Sequence, residues 1–129
     1  MDRTVRRWLR ETRMESRFVQ ARVGDDEYHV SFPFVAFDED IPRKVIKPLN
    51  LAQGDATRVV DHGGQWIVRL NALKRRDLLP PAVLFAVDGP DDASAQGRAC
   101  REVIDELELA GALVTAWSDR QALIDFAAQ

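Results

Sequence analysis

Six arginines near the start of the chain have the residue type and the spacing to bind phosphate. They recur every three or four residues, the interval that places side chains on one face of a helix. The six are Arg3, Arg6, Arg7, Arg10, Arg13 and Arg17. Guanidinium groups this close repel one another, and each planar fork offers a phosphate two hydrogen bonds at once. The pattern predicts a surface for the phosphates of a nucleic acid or for an acidic protein, unless the domain's own carboxylates neutralise it.

Other chemistry has little support in the residue types. The two histidines, His29 and His62, lie far apart, and the single cysteine, Cys100, excludes an internal disulfide and a cysteine-rich zinc site. No Gly-x-Ser-x-Gly elbow and no glycine-rich phosphate loop occurs. We therefore expect no cofactor. Lys74, Arg75 and Arg76 form a second basic cluster, which is typical of a helix C-terminus.

Composition and charge indicate one globular domain. The chain has 129 residues, of which 46% are hydrophobic and 30% are charged. Its apolar stretches fall far short of the ~20 residues that span a bilayer, and we expect a cytoplasmic protein without a membrane partner. Residues 1–23 carry a net charge of +4 and residues 88–129 a net charge of -6. This asymmetry fits the steering of a charged partner or head-to-tail assembly of a homo-oligomer.

The first half of the chain predicts one helix and three strands. In residues 3–17, Val5, Trp8 and Leu9 share a face opposite the arginines, which indicates a helix. Strands are expected at residues 18–23, 28–37 and 44–51, the first two as an antiparallel hairpin. Pro33 and Pro48 have no backbone N–H to donate to a neighbouring strand, and so they predict bulges, strand ends or edges.

The second half predicts a helix followed by two strand–helix units. Residues 65–78 favour a helix that could begin near residue 57, although residues 61–64 could also be the turn of a hairpin. We expect strands at 82–87 and 112–117, both buried and parallel, with helices at 94–110 and after residue 118. The predicted fold is a single α/β domain of order α-β-β-β-α-β-α-β-α, with a mixed sheet and helices on both faces.

This order of elements over residues 4–87 resembles the core of the PD-(D/E)xK nucleases, which have a restriction-endonuclease-like fold. The resemblance implies an Asp at the second strand and an acid-x-Lys motif on the third, which hold Mg²⁺ and position the attacking water. Asp38 follows the second strand and Lys47 lies on the third, so the resemblance would make them a metal ligand and the water-positioning cation.

The chain departs from that pattern at one position. Val45 stands two residues before Lys47, where the family has a carboxylate. A second acid would have to come from elsewhere in the fold, and the candidates are Glu11, Glu39, Asp40 and Asp55. A solvated acidic turn at residues 38–40 and a surface lysine at 47 are the simpler interpretation.

Two functions remain. The favoured hypothesis is a non-catalytic binding module that recognises an anionic partner, nucleic acid or acidic protein, through the arginines of the first helix. The alternative is a Mg²⁺-dependent phosphodiesterase of the PD-(D/E)xK kind, with Asp38 and Lys47 as catalytic residues and a degenerate or migrated site.

Overall fold

A five-stranded sheet forms the centre of the structure, a computed structural model that describes all 129 residues. The strands are β1 (Val19–Gly24), β2 (His29–Asp38), β3 (Ile41–Asn50), β4 (Ala82–Asp88) and β5 (Leu113–Ala116). The helices are α1 (Asp2–Glu11), α2 (Ala56–Arg75), α3 (Ala95–Leu109) and α4 (Arg120–Ala128), and a short 3₁₀ helix covers Glu15–Arg17. β1, β2 and β3 are antiparallel, whereas β3, β4 and β5 are parallel. The predicted α/β class and element order are confirmed.

Helices cover both faces of the sheet, as the sequence predicts. The larger buried cluster joins α2 and α3 to side chains such as Phe32 and Phe85. The smaller one joins α1 and α4 to Phe34, Ile46 and Leu84 on the opposite face. The sheet is therefore buried on both sides in its middle, where most of the apolar side chains lie.

α1 ends at Glu11, so the predicted continuation of the helix to residue 17 is wrong. Arg13 adopts the left-handed conformation with a φ of 61°. The Met14 N–H donates to the Leu9 carbonyl at 2.7 Å, and the Arg13 N–H donates to the Arg10 carbonyl at 3.1 Å. These two bonds form a Schellman motif, which usually has glycine where Arg13 stands. Arg13 and Arg17 therefore lie beyond the helix.

α2 begins earlier than residue 65, and the hairpin alternative is wrong. The Asp55 carboxylate accepts a hydrogen bond from the Arg58 N–H at 3.0 Å and caps the helix. Gly63 lies inside the helix and faces α3, where a Cβ atom would stand 2.4 Å from a Val103 methyl carbon. The glycine permits close packing of two helices instead of forming a turn.

The two prolines mark the place where β2 and β3 separate. β2 has one extra residue opposite β1, next to Pro33. The pairing of β2 with β3 extends only as far as Phe34, which lies opposite Ile46. Pro33 lies at the bulge, and Pro48 lies inside β3 where that strand pairs with β4 alone, so the predictions of a bulge and of an edge are confirmed and neither proline ends a strand. The β1–β2 hairpin diverges from β3 here and leaves a cleft.

β5 is an edge strand, and the expectation that it is buried on both faces is wrong. It pairs only with β4, and its Leu113 side chain is 58% exposed. Its parallel pairing with β4 is confirmed. An apolar run is typical of a central parallel strand, but the same run also occurs where the sheet stops.

Candidate functional site

All six predicted arginines are exposed, but only four are on α1. Arg3, Arg6, Arg7 and Arg10 lie on the helix side away from the buried Val5 and Leu9. At 1.5 Å per residue, the row from the first to the last of them is about 10 Å long. The remaining two follow the Schellman turn, so the predicted single helical stripe is a shorter row with two separate flanking arginines.

The protein's own carboxylates engage two of the six. Arg10 donates two hydrogen bonds to Glu15, at 3.1 and 3.5 Å, and this contact raises the pKa of the Arg10 guanidinium. Arg7 lies 3.8 Å from Glu11, which also accepts a hydrogen bond from Arg120 at 2.6 Å. These pairs are exposed, and pairs of this kind contribute little stability.

The other four arginines have no carboxylate oxygen within 4.0 Å: Arg3, Arg6, Arg13 and Arg17. We call these four the arginine surface. The Arg6 guanidinium lies 5.9 Å from the centre of the Phe34 ring, which holds it against the sheet. The domain's own acids therefore leave most of the basic surface unneutralised.

Arg43 extends this surface around Arg17, and the Lys44 ammonium beside it is bonded to the end of α4. Arg43 and Lys44 border the same shallow groove as Arg17, beside α4. Burial lowers the pKa of the Lys44 ammonium, and the Arg17 charge lowers it further. Neither side chain is part of the arginine pattern near the start of the chain, because both belong to β3.

Asp38 and Lys47 are not brought together. Asp38 lies opposite Ile41 at the β2–β3 turn, whereas Lys47 is six residues further along β3. At ~3.4 Å per residue, their backbones are about 20 Å apart, too far for both to act on one metal-bound phosphate.

The candidate second acids do not lie with Lys47 either. Glu39 and Asp40 form the β2–β3 turn with φ of 51° and 66°. Glu11 pairs with arginines, and Asp55 caps α2. No group of three or more His, Cys, Asp or Glu side chains is placed to hold a metal ion. The arrangement that the nuclease resemblance implies is absent from this part of the fold.

Lys47 instead lies in the cleft that opens where β2 leaves β3. The cleft has a volume of about 640 Å³. Its polar lining comes from five elements or loops and comprises Asp2, Gln20, His29, Ser31, Lys47 and Arg69. Phe32, Pro33 and Trp66 form apolar parts of the wall. A cleft of this size can hold a small organic ligand.

Two cations in this cleft lie against one indole ring. The Lys47 Nζ atom is 4.9 Å and the Arg69 Cζ atom 4.6 Å from the centre of the Trp66 ring, which is almost fully buried. Burial lowers the pKa of the Lys47 ammonium; the Asp2 charge opposes this shift, and the Arg69 charge adds to it. The ring attracts both cations but does not cancel their charge.

The second basic cluster has structural partners. Lys74 donates to the Leu109 carbonyl at the end of α3, at 3.4 Å. Arg76 donates to the Ala72 carbonyl at 2.8 Å and lies 5.0 Å from the centre of the Tyr28 ring. Cationic side chains stabilise the carbonyl end of a helix in this way, in agreement with the sequence prediction.

Comparison with protein-family models, with curated proteins and with solved structures finds no match to this chain. Its function is therefore argued from its own residues. None of its four α-helices has both the length and the apolar character that crossing a membrane requires.

Proposed function

We propose that this protein is a non-catalytic module that binds the phosphate backbone of a nucleic acid through the arginine surface. One observation carries the proposal: Arg3, Arg6, Arg13 and Arg17 are exposed and have no carboxylate within 4.0 Å. A surface of this kind has unsatisfied positive charge that a phosphate oxygen can neutralise.

The residue type suits phosphate and carboxylate alike, and the length of the basic area is what favours a nucleic acid over an acidic protein. Residues 1–43 contain eight arginines and no lysine. Guanidinium is planar and offers paired donors to phosphate oxygens, whereas ammonium is a point charge. The flanking Arg43 lengthens the basic area beyond α1, as an extended backbone would require. Contacts of this type position a nucleic acid without reading its sequence.

The test is a binding series with charge-neutralised variants. The full-length protein is titrated against fluorescent single-stranded DNA, duplex DNA and RNA, and anisotropy is measured from 50 to 200 mM salt. We expect affinity to fall with salt, and replacement of Arg3, Arg6 and Arg13 by Gln to remove up to three phosphate contacts. Between 50 and 200 mM salt, a variant that lacks three contacts should therefore lose about 40-fold less duplex affinity than the wild type does.

A matched control carries the same change of charge on the other side of the molecule. Arg58, Arg75 and Arg98 are exposed on α2 and α3, and their replacement by Gln should leave affinity nearly unchanged. Equal weakening by both triple variants, or no binding of any nucleic acid at 50 mM salt, would contradict the proposal. Tight binding of an acidic polypeptide, without binding of nucleic acid, would favour an acidic protein as the partner.

The nuclease alternative has its own test. Cleavage of DNA or RNA is measured with Mg²⁺ or Mn²⁺, for the wild type and for Asp38→Ala. We expect no cleavage that depends on Asp38, because about 20 Å of strand separates this residue from Lys47. Metal-dependent cleavage that vanishes in the variant would establish the enzyme instead.

A further inference from the structure

The cleft beside Lys47 contains two cations and one carboxylate, Asp2, which forms no ion pair with either cation. Lys47 and Arg69 both lie within 5 Å of the Trp66 ring centre, and neither has a carboxylate oxygen within 4.0 Å. Holding two cations against one ring in a half-buried place costs free energy, which a bound anion would recover. A doubly charged anion that contacts both cations would recover the largest part of this free energy.

Neutral donors complete the lining around the two cations. Gln20 and Ser31 supply an amide and a hydroxyl, and His29 supplies a ring nitrogen. These groups can donate to the oxygens of a tetrahedral anion while the cations neutralise its charge. Asp2 is the only carboxylate in the lining, and it opposes an anion instead of attracting one.

We infer that this cleft is a binding site for a phosphate monoester dianion, with Lys47 and Arg69 as its charged ligands and Ser31 and Gln20 as neutral donors. A single phosphate needs only part of the 640 Å³, so the site also has room for a mononucleotide. The site is independent of the proposed function, because none of its side chains belongs to the arginine surface.

The test is titration of the full-length protein with inorganic phosphate and with adenosine 5′-monophosphate, followed by calorimetry and by amide chemical shifts. We expect saturable binding at millimolar concentrations, with the largest shifts at residues lining the cleft. Tighter binding of the nucleotide would assign the site to nucleotides, and equal binding would assign it to the phosphate group alone.

Variants identify the ligating groups. Lys47→Met and Arg69→Gln should each weaken phosphate binding about tenfold or more, since each removes a charged hydrogen bond. Arg75→Gln is the matched control on the exposed part of α2 and should not change affinity. Asp2→Asn should strengthen binding, because it removes the only negative charge in the lining. Thermal melts show whether each variant is folded.

The strengthening in Asp2→Asn keeps the test decisive even if one cation variant fails to fold, since damage to the fold does not increase affinity. Absence of saturable binding to the wild type, unchanged affinity in both folded cation variants, or equal loss in Arg75→Gln would overturn the inference. Weaker binding by Asp2→Asn would overturn it as well.

Discussion

β3 contains two lysines, Lys44 and Lys47, whose pKa values both shift downward although their contacts differ. Burial lowers the pKa of both Lys44 and Lys47. The Lys44 ammonium donates to the carbonyl of Phe126 at 3.0 Å, near the end of α4, and so its charge is used. The Lys47 ammonium has no carboxylate oxygen within 4.0 Å; it lies over the face of Trp66, with the Asp2 charge favouring its protonated form and the Arg69 charge opposing it. Burial therefore disfavours both ammonium groups, but only that of Lys44 has a hydrogen bond that offsets the cost.

Lys47→Met should make the free protein at least as stable as the wild type at pH 7. The folded-state pKa of Lys47 lies below the ordinary 10.5, so the unfolded chain binds the extra proton between the two values. Wild-type stability should rise across that window as pH increases, and the advantage of the variant should shrink. Urea unfolding of both proteins at pH 7 and near pH 10 measures the difference.

Lys44→Met provides the contrast. It removes a charged hydrogen bond to the end of α4, and we expect a loss of about 1.5–3 kcal/mol in the free energy of unfolding at pH 7. Comparable losses in Lys44→Met and Lys47→Met would mean that the Lys47 ammonium has a stabilising contact of its own.

Cys100 should be inert in the native protein. Its side chain is 2% exposed, and burial raises the pKa of the thiol, with a further rise from the Asp92 charge. A thiolate is the reactive form, so both effects slow reaction. We expect a thiol reagent at pH 8 to label the folded protein about a thousandfold more slowly than the urea-unfolded chain. Rapid labelling of the folded protein would show that the α3 side of the core opens locally.

At the scale of the elements, helix termination shows what sequence reasoning could and could not find. α3 ends in a Schellman motif at Gly111, with a φ of 105°, and its glycine makes the end visible in the sequence. α1 and α2 end in the same motif at Arg13 and Asp77, which give no such signal. Burial of the next residue, Met14 after α1, selects the turn, and this burial depends on tertiary packing.

Two adjacent glycines in α2 test the packing of α2 on α3. Gly63→Ala would place its methyl group 2.4 Å from a Val103 carbon, and we expect a loss of about 1–3 kcal/mol in unfolding free energy from overpacking. Gly64→Ala meets nothing within 4 Å and should gain up to about 1 kcal/mol, because alanine favours a helix. Urea unfolding of the two variants gives the comparison. Equal effects would show that Gly63 is not a contact between the helices.

The two candidate sites also differ in how far the sequence predicts them, because one lies within a single segment and the other depends on tertiary packing. The arginines lie within one short segment of the sequence, and their spacing alone indicated an anionic partner. The cleft joins Asp2, Lys47 and Arg69 from three distant segments. Pro33 and Pro48 predicted an interruption of the ladder, but the opening between strands depends on how the β1–β2 hairpin leaves the sheet. No local pattern encodes which side chains then face one another.

Over the whole molecule, charge is separated between the two ends of the chain. Residues 1–23 carry +4, residues 88–129 carry -6, and the total is -3. A polyanion approaching from a distance therefore meets net repulsion, and it meets the arginine surface only at short range. The proposed binding should accordingly combine slow association with a local attraction that salt weakens.

Neutralising acids far from the arginine surface should accelerate association without adding a contact. Glu102 and Glu106 are exposed on α3, which lies on the opposite face of the sheet from α1. Replacing both by Gln changes the net charge from -3 to -1. At ~0.01 M salt the screening length is about 30 Å, so the lost repulsion should raise the association rate severalfold. At ~0.15 M salt it is about 8 Å, and the gain should disappear. Stopped-flow mixing of the wild type and the variant with duplex DNA at both salt concentrations measures the association rate. An unchanged rate at low salt would mean that the acidic half of the chain does not influence the approach, while a gain that persists at high salt would place Glu102 or Glu106 in the interface.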